Sequence, residues 1–123
     1  MTPTITDRLD EIAGRADAAT EGPWSVYDRG VGCHIALDDG VGDRILPEGF
    51  RTDIGRNEDA AFIAAARTDI PALVAALRAV LALHVAEDRG TGPHCAGCAT
   101  VATFTHYPCP TVTAITAALI GAR

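Results

Sequence analysis

The most restrictive feature of this chain is the run from Arg89 to Pro110, which holds three of the four cysteines and hardly any aliphatic side chains. Cys95, Cys98 and Cys109 share a span of fifteen residues, while Cys33 stands alone in the first half. Gly, Pro, Thr, Cys and His dominate the run, so it has too little apolar surface to pack on itself and needs an external organiser. Three clustered cysteines are an odd number for disulfides. Met1 to Arg15 shows no basic segment followed by an apolar one, so no export signal is read and a reducing compartment is expected. Metal ligation is therefore the first reading of the thiols.

Zinc takes thiolate and imidazole ligands in a tetrahedron, and Cys-x-x-Cys lets two sulfurs from one turn reach the same ion. Cys95-Ala96-Gly97-Cys98 has that spacing, with Gly97 easing the turn, and Cys109 is stiffened between Pro108 and Pro110. The fourth ligand must be a histidine. His106 echoes the spacing as His106-x-x-Cys109, whereas His94 abuts Cys95 and would strain to aim at the same ion. His84 is preferred, because it falls seven residues after Leu77 and a helix would turn it inward with the apolar stripe. The expected metal set is His84, Cys95, Cys98 and Cys109, with iron-sulfur and redox chemistry as the competing uses of the cysteines. A redox pair lacks the strand-then-helix context such motifs have. Cys33 reads as a small core residue.

Three cysteines and a histidine fill all four positions, so the expected Zn2+ is structural and no catalytic residue is assigned. The nucleobase deaminase pattern does not fit. His84-Val85-Ala86-Glu87 separates His from Glu by one residue too many, and His94 intrudes between Pro93 and Cys95.

Upstream, Thr4 and Asp7 form a weak capping box before Ile5, Leu9, Ile12, Ala13 and Ala16, predicting a helix over about 5–19. Glu21-Gly22-Pro23 stops it. Short runs from Trp24 to Leu46 then predict strands, with Asp39-Gly40 the clearest hairpin turn. Asn57 caps a helix whose large apolar contacts are Phe62 and Ile63. Thr68-Asp69 with Pro71 predicts a second helix, carrying Ile70, Leu73, Val74, Leu77, Leu81 and His84 on one stripe. A last helix is expected from Thr111 to Ile120. The expected architecture is α+β in a single domain over 1–123: a first helix and β-meander over 1–50, a helical pair over 51–88, and a zinc loop with the C-terminal helix over 89–123. A small antiparallel sheet packs on the helices.

Composition narrows the function. Ten arginines, no lysine and sixteen acids give a net charge of −6, the wrong sign for binding duplex nucleic acid through phosphates. No apolar run is read as approaching the ~20 residues a bilayer span requires, so no membrane is expected and the chain reads as cytoplasmic. Fourteen of the acids lie between Asp7 and Asp69, an uneven distribution that would steer a basic partner to the N-terminal part. Trp24 reads as an anchor between the first helix and the sheet; Trp24 and Phe50 are also candidate partner contacts if exposed.

The segment Asn57 to Leu73, preceded by Ala19-Thr20-Glu21-Gly22-Pro23-Trp24, resembles small accessory proteins of temperate phages and prophages, including the ead-type early proteins. The tail, Leu83-His84 with Cys95-x-x-Cys98 and Tyr107-Pro108-Cys109-Pro110-Thr111, is similar to small proteins of actinobacteria and their phages, in which a Leu-His pair precedes the cysteines. The two stretches touch roughly half the chain. The resemblance carries no known reaction. It implies a phage or prophage origin, a bacterial host cytoplasm and an accessory role exercised on a host or phage protein. The competing expectation is a protein that sequesters a small ligand such as a nucleotide signal, with Arg29, Arg44, Arg51 or Arg56 as phosphate contacts.

Overall fold

The structure is a computed structural model and describes residues 2–28, 33–37, 56–100 and 103–121. Within them lie three helices and two small antiparallel sheets, an α+β arrangement: α1 (Ile5–Ala18), β1 (Trp24–Asp28), β2 (Cys33–Leu37), α2 (Asn57–Leu83), β3 (Ala86–Asp88), β4 (Pro93–Cys95) and α3 (Pro110–Gly121). The chain divides into two compact units, Ala13–Leu73 and the pair of segments Met1–Ile12 and Val74–Arg123.

The capping box at the start of α1 forms as read. The Thr4 backbone N–H donates to Asp7 Oδ2 at 2.8 Å, and the Asp7 N–H donates back to Thr4 Oγ1 at 3.1 Å. Two otherwise orphaned helix-start donors are thereby satisfied. β1 and β2 pair antiparallel with Trp24 opposite Leu37 and Asp28 opposite Cys33. Cys33 is buried in β2, in keeping with its reading as a core residue. The expected Asp39-Gly40 turn and the rest of the meander lie outside the described residues.

The expected helical pair is one continuous helix. α2 runs for 27 residues with Pro71 inside it. Proline in a helix interior removes one hydrogen bond and costs about 3 kcal/mol. Ten alanines and four leucines of high helix propensity flank it and outweigh the break. This continuity also corrects the reading of apolar runs, because α2 is long and apolar enough to cross a membrane by length and composition, with a mean hydropathy of 1.5.

Burial along α2 departs from the expected stripe as well. Val74 is buried and Leu77 and Leu81 are half-buried, but Ile70 and Leu73 are exposed. Phe62, read as a main apolar contact, is 77 % exposed, and Ile63 is also exposed; Ala60 and Ala64 are buried in their place. Small side chains on that face permit close backbone approach, which turns the larger ones outward.

Past α2 the chain forms a hairpin where the sequence predicts the end of the helical pair and a loop. β3 and β4 pair antiparallel, with Ala86 opposite Cys95 and Glu87 opposite His94. The connecting turn contains Gly90 and Gly92 at φ of 90° and 99°, a left-handed conformation that glycine adopts freely. The Gly90 N–H donates to Asp88 Oδ1 at 2.8 Å and tightens the turn. The other edge of β4 is also used. The Cys95 N–H donates to the Thr105 carbonyl at 2.8 Å, and the Tyr107 N–H donates to the Pro93 carbonyl at 3.1 Å.

Candidate metal centre

α2 ends at Leu83, and the His84 N–H donates to the Leu81 carbonyl at 3.1 Å in a tightened last turn. His84 is thus not on the helical stripe that suggested it. It stands one residue beyond the helix, where its ring Nδ1 lies 3.3 Å from Cys95 Sγ, 3.5 Å from Cys98 Sγ and 3.5 Å from Cys109 Sγ. The four donor atoms all lie within 4.8 Å of one another. Soft sulfur and imidazole donors in this arrangement could hold a metal ion.

Each ligand is placed by a different piece of backbone. Cys95 ends β4, tied to Thr105 through its own N–H. Ala96 follows with its N–H donated to the Val85 carbonyl at 2.9 Å, and the Cys98 N–H closes a turn onto the Cys95 carbonyl at 3.3 Å. Gly97 in that turn lies against the end of α2. A Cβ there would overlap the Leu83 carbonyl oxygen and approach His84 Nδ1 to 3.2 Å. The glycine therefore allows a close approach between two ligand-bearing segments, beyond the turn itself.

Cys109 sits immediately before α3. Its carbonyl accepts from the Thr113 N–H at 3.0 Å, the mark of an N-cap residue. Its sulfur takes the role a serine oxygen usually plays. The Val112 N–H is the largest influence holding this thiol down at about 6, the neighbouring thiols and the Thr111 N–H add to it, and burial opposes them. Cys98 moves the other way. Burial, then the neighbouring Cys95 and Cys109 sulfurs, push it up to about 11. One thiolate is favoured and another resisted, as expected where several sulfurs share a small volume.

The cluster also forms the core of its unit. Cys95 and Cys109 are fully buried beside Val112, with Leu81, Cys98 and Tyr107 packed around them. Three of the four largest fully buried side chains among the described residues are cysteines: Cys33, Cys95 and Cys109. Apolar filling is thin where the ligands converge.

The other candidates lie apart. His106 is exposed and stacks on His94 with ring centroids 5.4 Å apart, across an isolated bridge between the two residues. His94 is buried, with its Nε2 paired to Thr91 Oγ1 at 2.7 Å. Strand alternation turns it away from the side that Cys95 presents. Trp24 is half-buried, its Nε1 donating to the Thr20 carbonyl at 3.1 Å, and the Arg67 guanidinium lies 6.0 Å from its ring centroid. Of the arginines read as phosphate contacts, Arg56 is exposed with Glu58 at 3.8 Å; Arg29, Arg44 and Arg51, like Phe50, lie outside the described residues.

The four residues that the sequence singles out are the ones the structure brings together. The sequence carries no signal that the Val112 N–H would address Cys109, because that contact depends on where α3 begins. Comparison of the chain with family models, curated proteins and solved structures finds no match.

Proposed function

We propose that this chain is a zinc-stabilised, non-catalytic interaction module. The observation that carries the reading is the approach of one imidazole nitrogen to three sulfurs at nearly equal distances. Zinc arms of about 2.3 Å to sulfur and 2.0–2.1 Å to nitrogen make a tetrahedron whose nitrogen-to-sulfur edges are about 3.6 Å. The three distances from His84 Nδ1 are 3.3, 3.5 and 3.5 Å. His84, Cys95, Cys98 and Cys109 would together hold the ion. A thiolate-rich tetrahedral set suits zinc better than the oxygen-seeking divalent ions.

Four protein ligands leave no position for a reacting water, which supports a structural role. The ion would link the end of α2, the β3–β4 hairpin and the start of α3 through the run Arg89 to Pro110, which holds hardly any aliphatic side chains. In this reading the chain binds a host or phage protein, as its resemblance to temperate-phage accessory proteins implies. The concentration of acids before Ile70 would steer a partner with a basic face.

Elemental analysis of the purified protein tests the metal: one zinc per chain in the wild type, and a reduced content in His84→Ala. Iron in place of zinc, or an unchanged zinc content in the variant, overturns the assignment. Capture of a specific host or phage protein by the zinc-loaded chain tests the interaction reading. Stoichiometric zinc with no protein captured would leave the metal site and remove the partner.

A further inference from the structure

We infer that α2 pairs with α2 of a second copy of this chain, so that the protein is a homodimer built on an exposed helical face. Six of the ten large hydrophobic side chains exposed among the described residues belong to α2: Phe62, Ile63, Ile70, Leu73, Val80 and Leu83. At 100° per residue they fall within about 80° either side of Leu73, a band wide enough for a contact stripe. The buried Ala60, Ala64 and Val74 lie outside this band. Among the described residues α2 is thus apolar on two sides: the side of Ala60, Ala64 and Val74 is covered, and of the exposed band only its Leu81 edge packs on the Cys95, Cys109 and Val112 core.

The charges follow the same division. Arg67 donates through Nε to the Thr20 carbonyl at 2.9 Å, and Arg78 pairs with Asp10 at 2.6 Å, both directed to their own chain. Between Phe62 and Leu83 the exposed band carries one charged side chain, Asp69, with Glu58 and Asp59 in it at the helix start. Ala66 and Leu77 complete an alternation of three and four residues running from Ile63 to Val80, the repeat by which two helices interlock. Ile63, Ile70 and Leu77 share one seam position and Ala66, Leu73 and Val80 the other, so both positions are apolar throughout.

Area supports a protein partner. Phe62 is 77 % exposed, Leu83 67 %, Leu73 59 %, and the other three between 37 % and 40 %. At roughly 150 Å² for a large side chain this amounts to about 450–500 Å² per copy, near the upper limit of patches that monomers leave open. Two copies would bury about 1,000 Å² in total before the intervening alanines are counted, the lower limit for a specific interface. A two-fold axis makes the patch its own complement. An anionic membrane surface fits poorly, because Glu58, Asp59 and Asp69 are acidic and both α2 arginines are engaged elsewhere.

Sedimentation equilibrium of the full zinc-containing chain tests the pairing. The wild type is expected at twice the chain mass. Leu73→Glu is expected to weaken the dimer by about tenfold or more, placing a charge at the centre of the seam. Unchanged far-UV circular dichroism and zinc content show that the variant is folded; should it unfold, Leu73→Gln makes the same comparison. A wild type monomeric at every concentration, including one that instead captures another protein or binds vesicles, overturns the proposal. So does a folded variant that dimerises as tightly as the wild type. A monomer that retains its zinc would leave the metal reading intact, so the two proposals fail separately.

Discussion

Gly97 lies against the carbonyl of Leu83, so close that no side chain fits between the Cys95–Cys98 turn and the end of α2. That contact sets His84 Nδ1, on the next residue, in reach of all three sulfurs. Gly97→Ala should force the turn away from α2. The obstacle is backbone, which cannot swing aside, so a loss of about 1–3 kcal/mol is expected. Thermal denaturation and zinc content of the purified variant should fall together. A variant with wild-type metal content and stability would show that the approach is not needed.

Removal of the metal should be felt locally. In the proposed zinc protein the ion replaces apolar filling around Cys95, Cys109 and Val112. Hydrogen exchange after chelation is expected to speed up at the Cys95 and Tyr107 N–H groups, which bond across β4. Exchange in the β1–β2 pair should change much less. Equal loss of protection in both places would mean that the ion supports the whole chain.

The α1 cap makes stability depend on pH with a definite sign. The Thr4 backbone N–H, and then its hydroxyl, hold the Asp7 carboxyl below its ordinary value of 3.8. Because the folded value is the lower one, the stabilisation is fully present above the unfolded value. It is lost as pH falls below about 4 and through the folded value. Titration of the Asp7 carboxylate by NMR should place its midpoint below that of Asp7 in the Thr4→Ala variant. Coincident midpoints would remove the Thr4 hydroxyl as a cause and leave the backbone N–H, which the substitution keeps, as the whole of it.

Arg67 should matter through geometry more than charge. Its Nε bonds the Thr20 carbonyl at 2.9 Å, and the planar group lies 6.0 Å from the Trp24 ring centroid. Arg67→Lys keeps the charge but loses the planar fork, and about 0.5–1.5 kcal/mol of stability should go with it. Trp24 fluorescence should shift in the same variant. A lysine variant equal to wild type in both measurements would mark the contact as incidental.

Much of the candidate metal centre is legible because the chemistry of its side chains is local. Cys95 and Cys98 are held by their spacing, Cys109 by its prolines, and a shortage of aliphatic residues shows that something else must organise the run. Beside the Leu-His pair of the resemblance, the sequence favours His84 for a place on a helical stripe, which it does not occupy. The helix stops one residue short, and the Gly97 contact with the helix end positions the ring. The β3–β4 hairpin escaped notice because three-residue strands leave almost no periodic signal, although Asp88, Gly90 and Gly92 are the residues such a turn uses.

The sequence by itself determined the α1 cap, the β1 and β2 strand pattern and the chemical character of the cysteine cluster, all of which depend on neighbours in the chain. Tertiary structure decided that helix formation continues through Pro71, that Ala60 and Ala64 are buried while Phe62 is exposed, and that His84 rather than His106 meets the three sulfurs. Those outcomes depend on which surfaces approach closely enough to exclude a side chain, and close approach is a property of packed backbones that spacing along one chain does not record.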